Sequence, residues 1–184
     1  MGTAESAWEV LAGAEEVCSP EAVMAAVARV AREITARLEH CNPLALAVMR
    51  GGVVFAGHLL PLLRFPLEFD YIDVTRYGDA TRGGEIEWRT GPARSVAGRV
   101  VLVIDDILDE GHTLALIRER ILAAGAAAFH SAVFAGKDTG RPKHAAADFL
   151  GVTVPDRYVF GFGMDVRGAW RNLPALYALK EGNE

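Results

Sequence analysis

Cysteine is scarce in this chain. Cys18 and Cys41 are the only two among 184 residues, and no C-x-x-C pair occurs. That argues against a disulfide framework or a thiolate metal site and favours a reducing compartment, so a cytoplasmic location is expected. No apolar run is long enough to span a bilayer, and the start lacks the basic and apolar regions of a secretory signal. Met1 to Ser6 fits the loose myristoylation pattern, but no basic cluster follows to supply a second membrane signal. No membrane partner is expected. Positive charge is in deficit: 19 Lys and Arg stand against 24 Asp and Glu, a net charge of -5. A broad nucleic-acid partner is disfavoured on that ground. Internal repeats, low-complexity tracts and obvious linkers are absent. So are G-x-S-x-G, H-E-x-x-H, G-x-G-x-x-G and the Walker pattern, since Gly136-Lys137 lacks a following Ser or Thr.

What is present is an ordinary globular profile, 51% hydrophobic and 23% charged, over a length that fits one domain. Ser19-Pro20-Glu21 reads as a helix start, and Val23, Val27, Val30, Ile34 and Leu38 follow at helical spacing to about Glu39. Leu44 to Met49 reads as a buried strand and Arg50-Gly51-Gly52 as a tight loop. Val53 to Leu63 reads as a helix, and Phe69 to Thr75 as a strand. Residues 77–84, with three glycines, read as a mobile loop, and Ile86 to Thr90 as a half-exposed strand. Arg99 to Ile104 is the most strand-like segment. Gly111 to Ala124 follows as a helix, Ser131 to Ala135 as a strand, and the tail from Gly151 as short strands and turns. Strands alternating with helices predict an α/β domain with a mainly parallel sheet flanked by helices. Ligands of such sheets sit at the carboxyl ends of the strands, where Arg50-Gly51-Gly52 and the acidic stretch Asp105 to Glu110 both fall.

That stretch, VLVIDDILDEGHT from Val101 with its preceding Val100, places four carboxylates within six residues at the end of an apolar strand. The amides of Asp109, Glu110, Gly111, His112 and Thr113 can form a nest at a helix start, suited to a phosphate. Asp105 and Asp106 suit the vicinal hydroxyls of a ribose, or a magnesium ion held directly or through its waters. Together these features describe a sugar-phosphate site. Acids at a helix start also serve as caps, and that use accounts equally well for any single one of the four. It does not account for a pair on the strand itself. His40, His58, His130 and His144 are assigned surface or packing roles.

These residues closely resemble the phosphoribosyl-pyrophosphate motif of the type I phosphoribosyltransferases. With Asp at position 109, they are similar to the hypoxanthine-guanine branch of that family. The likeness runs from about Val23 to Leu173. It implies a single domain over 1–184, with a small hood subdomain built from the N-terminal segment and about 151–184. It implies that Met49-Arg50-Gly51-Gly52 is a pyrophosphate loop containing a cis peptide, with Arg50 where relatives often carry Lys. Arg76-Tyr77-Gly78 resembles the start of a closing loop, although relatives often have Ser at the position of Arg76. Lys137 fits a donor to the purine O6. Tyr158 would stack on the purine and Val159 would contact its edge. Asp165 would approach purine, a second magnesium and the pyrophosphate, and Arg171 would bind pyrophosphate. His112 departs from the more basic residue often found there.

The activity so implied is transfer of a 5-phosphoribosyl group to N9 of a 6-oxopurine. The implied partners are phosphoribosyl pyrophosphate and hypoxanthine or guanine, the implied cofactor is Mg2+, and Asp109 is the implied general base. Asp105, Asp106 and Asp165 would be the metal ligands. Tyr77, Arg50, Gly51, Glu110, Gly111, His112 and Thr113 would complete the sugar-phosphate site. A homodimer or homotetramer is expected from the family. Two other readings stay open: a nucleotide-binding regulator of the same fold, and a transferase that prefers xanthine.

Overall fold

The computed structural model describes residues 3–76 and 86–180. Tyr77 and the loop expected over 77–84 lie outside the described residues. Helix α1 (Ala4–Gly13) and strand β1 (Glu15–Cys18) lead into helix α2 (Pro20–Leu38). The α2 start is the one anticipated: Ser19 Oγ accepts the Ala22 N–H at 3.3 Å, and Pro20 stands in the first turn, where it sacrifices no helical hydrogen bond. Val23, Val27, Val30, Ile34 and Leu38 are all buried. Helix α1 has no sequence forecast behind it. It buries no residue fully and is anchored by Trp170 Nε1, which donates to the Ala7 carbonyl at 2.8 Å, and by the edge-to-face contact of Trp8 with Trp170. Local periodicity cannot announce a helix whose partner lies far away in the chain.

Strand β2 (Leu44–Met49) is followed by α3 (Gly52–Leu59) and a 3-10 turn (Leu60–Leu62). The helix expected to reach Leu63 therefore changes character at Leu60. Pro61 has no N–H to continue the helical ladder, and the tighter turn absorbs that loss. Then come β3 (Glu68–Arg76), β4 (Ile86–Thr90), β5 (Val100–Leu108), α4 (His112–Ala123), β6 (Ala128–Asp138) and β7 (Phe149–Pro155). They form a six-stranded sheet in the order β4-β3-β2-β5-β6-β7, parallel except for the edge strand β4. Strand β2 is central and reads as a continuous apolar run because both its faces are covered. Ala45 and Ala47 join the core cluster beneath α2 and α3, while Leu44, Leu46 and Val48 join the cluster with Ile117 and Ile121 of α4.

Two short strands, β8 (Val159–Phe160) and β9 (Leu176–Ala178), pair with each other, and β9 also pairs with β1, in a separate three-stranded sheet. The N-terminal segment and the tail are thus side by side, with their own small core around Phe160, Val166 and Leu179. Residues 149–155 belong to the main sheet as β7, where Phe149 and Val154 face the large core and Arg29 of α2 donates to the Leu150 and Gly151 carbonyls. Strand β5 also differs from expectation: it continues past Ile104 to Leu108. Its pairing with β2 ends at Ala47↔Ile104, but pairing with β6 goes on to Leu108↔Gly136. Asp105 and Asp106 therefore lie within a strand, just where its β2 neighbour has turned away.

Candidate active site

The turn after β2 is pressed against that exposed edge of β5. The Met49–Arg50 peptide is cis. A Cβ on Gly51 would fall 1.6 Å from the Asp106 carboxylate, and one on Gly52 would lie 2.7 Å from the Ile104 carbonyl oxygen. Both glycines are required by close approach. A second turn presses in from the smaller sheet. Gly163 has φ +108, and a Cβ there would meet the Gly51 carbonyl oxygen at 2.2 Å. Three segments distant in sequence thus meet at Asp106.

Asp105 is buried, 8% exposed, and its Oδ1 accepts the Asp106 N–H at 2.9 Å. The Asp106 Oδ1 accepts the Ile107 N–H at 2.8 Å. Burial drives the Asp105 carboxyl well above the usual carboxylate range, and the neighbouring Asp106 charge adds to the effect. Burial also raises Asp106, against hydrogen bonds from Asp105 and Ile107 and the nearby Arg171 charge, all of which pull it down. Two adjacent carboxyls held dry and repelling each other are a costly arrangement. A cation or a pair of hydroxyl donors would relieve it. As a donor set they fit magnesium, which binds through one or two carboxylates and keeps much of its water. Asp165 is differently engaged: its carboxylate accepts from Arg171 and from the Gly168 N–H at 2.8 Å. Among the described residues, no three His, Cys, Asp or Glu side chains gather as a metal cage.

Next to the acids, Asp109, Glu110 and Gly111 turn the chain into α4. Gly111 sits at φ +84, a left-handed conformation that a side chain would resist, and a Cβ there would strike the Ala145 backbone at 2.7 Å. The first amides of α4 face this turn. Lys137 stands on β6, one residue beyond the pairing of Leu108 with Gly136, and its Nζ lies 3.1 Å from Asp109 Oδ2. Across from them, the Tyr158 hydroxyl donates to the Asp165 carbonyl at 3.0 Å. Partial burial and the Asp165 charge raise the Tyr158 hydroxyl above its ordinary range. Arg171 also donates to the Gly163 carbonyl at 2.6 Å.

These groups enclose a cavity of about 400 Å³. Its lining includes Gly51, Asp105, Asp106, Asp109, Thr113, Lys137, Tyr158, Val159, Asp165 and Arg171. Arg50, Glu110, Gly111 and His112 stand outside this lining; the last three shape the turn that Asp109 and Thr113 present to it. The sequence profile of the phosphoribosyl transferase domain matches residues 13–167. This chain belongs to the phosphoribosyl transferase family.

A hypoxanthine-guanine phosphoribosyltransferase of Bacillus subtilis is 34% identical over 163 residues, which is 88% of this chain and 91% of that one. A solved hypoxanthine phosphoribosyltransferase of Staphylococcus aureus superposes with a TM-score of 0.84 at 26% identity, covering 90% of this chain and 91% of that one. A solved hypoxanthine-guanine-xanthine phosphoribosyltransferase gives 0.79 at 28% identity over 91% and 94% of the two chains.

Within this phosphoribosyl transferase, one neighbour of the acidic turn escaped the sequence reading. His144, assigned a surface or packing role, stacks its ring on His112 with centroids 3.7 Å apart. Its partner is 32 positions away, in a segment without periodicity, so nothing local could signal the contact. Val48, Val74, Ile107 and Met164 also line the cavity, and the sequence singles out none of them as a site residue.

Proposed function

We propose that the protein transfers the 5-phosphoribosyl group of phosphoribosyl pyrophosphate to N9 of hypoxanthine or guanine, releasing pyrophosphate and IMP or GMP. The observation that carries this reading is the Lys137–Asp109 pair facing one cavity with the Gly111 turn. A 6-oxopurine presents an acceptor at O6 and a proton at N7, side by side. A lysine and a carboxylate 3.1 Å apart match those two atoms in order. The turn that carries Asp109 runs into the amide cradle for the 5-phosphate, so base and sugar are held by one short segment.

In this reading Tyr158 stacks on the purine and Lys137 donates to O6. As N9 bonds to C1 of the ribose, the C1–oxygen bond to pyrophosphate breaks and the N7 proton passes to Asp109. Asp105 and Asp106 would accept hydrogen bonds from the ribose hydroxyls and would hold magnesium, with Asp165 assigned to a second ion. When bound, magnesium supplies positive charge for the departing pyrophosphate. Arg50, Arg171 and the Gly51 loop serve the same leaving charge from the protein side. Tyr77 is assigned to a closing loop outside the described residues.

The protein is further proposed to act in the cytoplasm as a homodimer or homotetramer. No helix among the described residues is long and apolar enough to cross a membrane. Phe69 and Tyr71 share a face of β3 and are 46% and 44% exposed, a surface that assembly would cover. Light scattering on the purified protein tests the assembly. A spectrophotometric screen of hypoxanthine, guanine, xanthine, adenine and uracil with phosphoribosyl pyrophosphate and magnesium tests the activity. Turnover of hypoxanthine and guanine supports it. Turnover of adenine or uracil alone contradicts it, and a preference for xanthine selects the alternative substrate.

A further inference from the structure

We propose that His144 is a positioning residue for the phosphate turn, bracing His112 from outside so that the first turn of α4 keeps the shape that grips the 5-phosphate; this rests on the phosphoribosyl-transfer reading above. Helix α4 begins at Gly111 without a side-chain cap. Its start must be held by something else, and the segment after β6 is placed to do so. The His144 N–H donates to the Glu110 carbonyl at 2.8 Å. The His144 ring stacks on that of His112, the first residue of α4, at 3.7 Å and 28°. Lys143 Nζ donates to the Leu108 carbonyl at 2.9 Å. Ala145 lies so close that only a glycine fits at position 111. The turn is therefore clamped on its outer side by 143–145, while its inner side faces the cavity.

The clamp has a second consequence. The segment leaves β6 directly after Lys137 and Asp138, so the chain that positions the base-facing lysine also fixes the phosphate turn. His144 itself touches neither ligand position; it acts through His112. Losing the ring should loosen the sugar-phosphate end and leave the purine end intact.

The test compares wild type, His144→Ala and His144→Phe. Phosphoribosyl pyrophosphate binding is measured by calorimetry with magnesium present, alongside steady-state kinetics and thermal melting. His144→Ala is expected to weaken phosphoribosyl pyrophosphate binding about three- to tenfold, the effect of losing one aromatic stack. The KM for hypoxanthine should stay within about twofold under the same reasoning. His144→Phe, which keeps a ring to stack, should restore binding. Unchanged affinity in His144→Ala overturns the proposal. So does a His144→Phe variant as weak as the alanine, or a parallel loss of hypoxanthine affinity and melting temperature. A wild type that binds phosphoribosyl pyrophosphate but transfers it to no purine would contradict the transfer reading instead, and the same binding comparison would still decide the role of His144.

Discussion

Lys137 Nζ and Asp109 Oδ2 stand 3.1 Å apart, with 16% of the lysine side chain and 49% of the aspartate side chain exposed. The pairing follows from the register of β5 and β6. Leu108 is paired with Gly136, so the next residue of each strand reaches the same point at the sheet's carboxyl edge. In the unliganded protein the two charges satisfy each other. In the proposed reaction, an incoming purine presents an acceptor to one and a proton to the other.

Asp109→Asn is therefore expected to fold normally and lose about a hundredfold or more in kcat, the usual contribution of a general base. Affinity for phosphoribosyl pyrophosphate should change less. Steady-state kinetics at neutral pH check this. Near wild-type turnover would reduce Asp109 to a capping residue.

Replacing Lys137 with Met removes the proposed donor to O6. Binding of hypoxanthine and guanine should weaken by about 1–3 kcal/mol, the cost of a buried acceptor losing its partner. No preference for adenine should appear, because the change adds no acceptor for a 6-amino group. The KM values of the three bases give the answer, and unchanged values would take Lys137 out of the site.

Gly51→Ala should be costly for a steric reason. The new methyl would overlap the Asp106 carboxylate, and Gly163 closes the other side of the turn. A destabilisation of about 1–3 kcal/mol is expected, as for other overpacked positions. It should come with a raised KM for phosphoribosyl pyrophosphate. Calorimetric melting together with that KM measures both effects. A stable variant with normal affinity would show that the turn can move away from β5 at no cost.

Asp106→Asn should raise the melting temperature of the ligand-free protein at pH 7.5 while impairing activity. Burial lifts the Asp106 carboxyl above its unfolded value, so the ionised form is the one that costs stability. That cost is present above the folded titration and vanishes as the pH falls below the unfolded one. The advantage of Asn should accordingly shrink on acidification. About 2–4 °C is expected for each kcal/mol relieved in a domain of this length. Scanning calorimetry at pH 7.5 and pH 5 checks the sign; an Asn variant less stable at both would contradict it.

How legible was this in the sequence? The start of α2 was written out by Ser19, Pro20 and a run of apolar residues at helical spacing, and β2 by six apolar residues in a row. Asp105, Asp106 and Asp109 stood out because so much charge at the end of an apolar strand needs a reason. Lys137 was weaker, since its flanking residues are unremarkable. What gives it meaning is the register of β6 on β5, a long-range fact. The same holds for α1, whose anchor Trp170 is more than 150 positions away, and for His144 against His112. The length of β5 was underestimated because Asp105 and Asp106 look like a strand terminus. They remain in the strand because β6 continues to pair with it after β2 has left.

The most direct test of the account is a mass-spectrometric time course with purified protein, hypoxanthine, phosphoribosyl pyrophosphate and magnesium. Equal amounts of IMP and pyrophosphate should accumulate as hypoxanthine disappears, and the Asp109→Asn variant should form both far more slowly. Pyrophosphate release without IMP, or no conversion of hypoxanthine or guanine at all, would contradict the account.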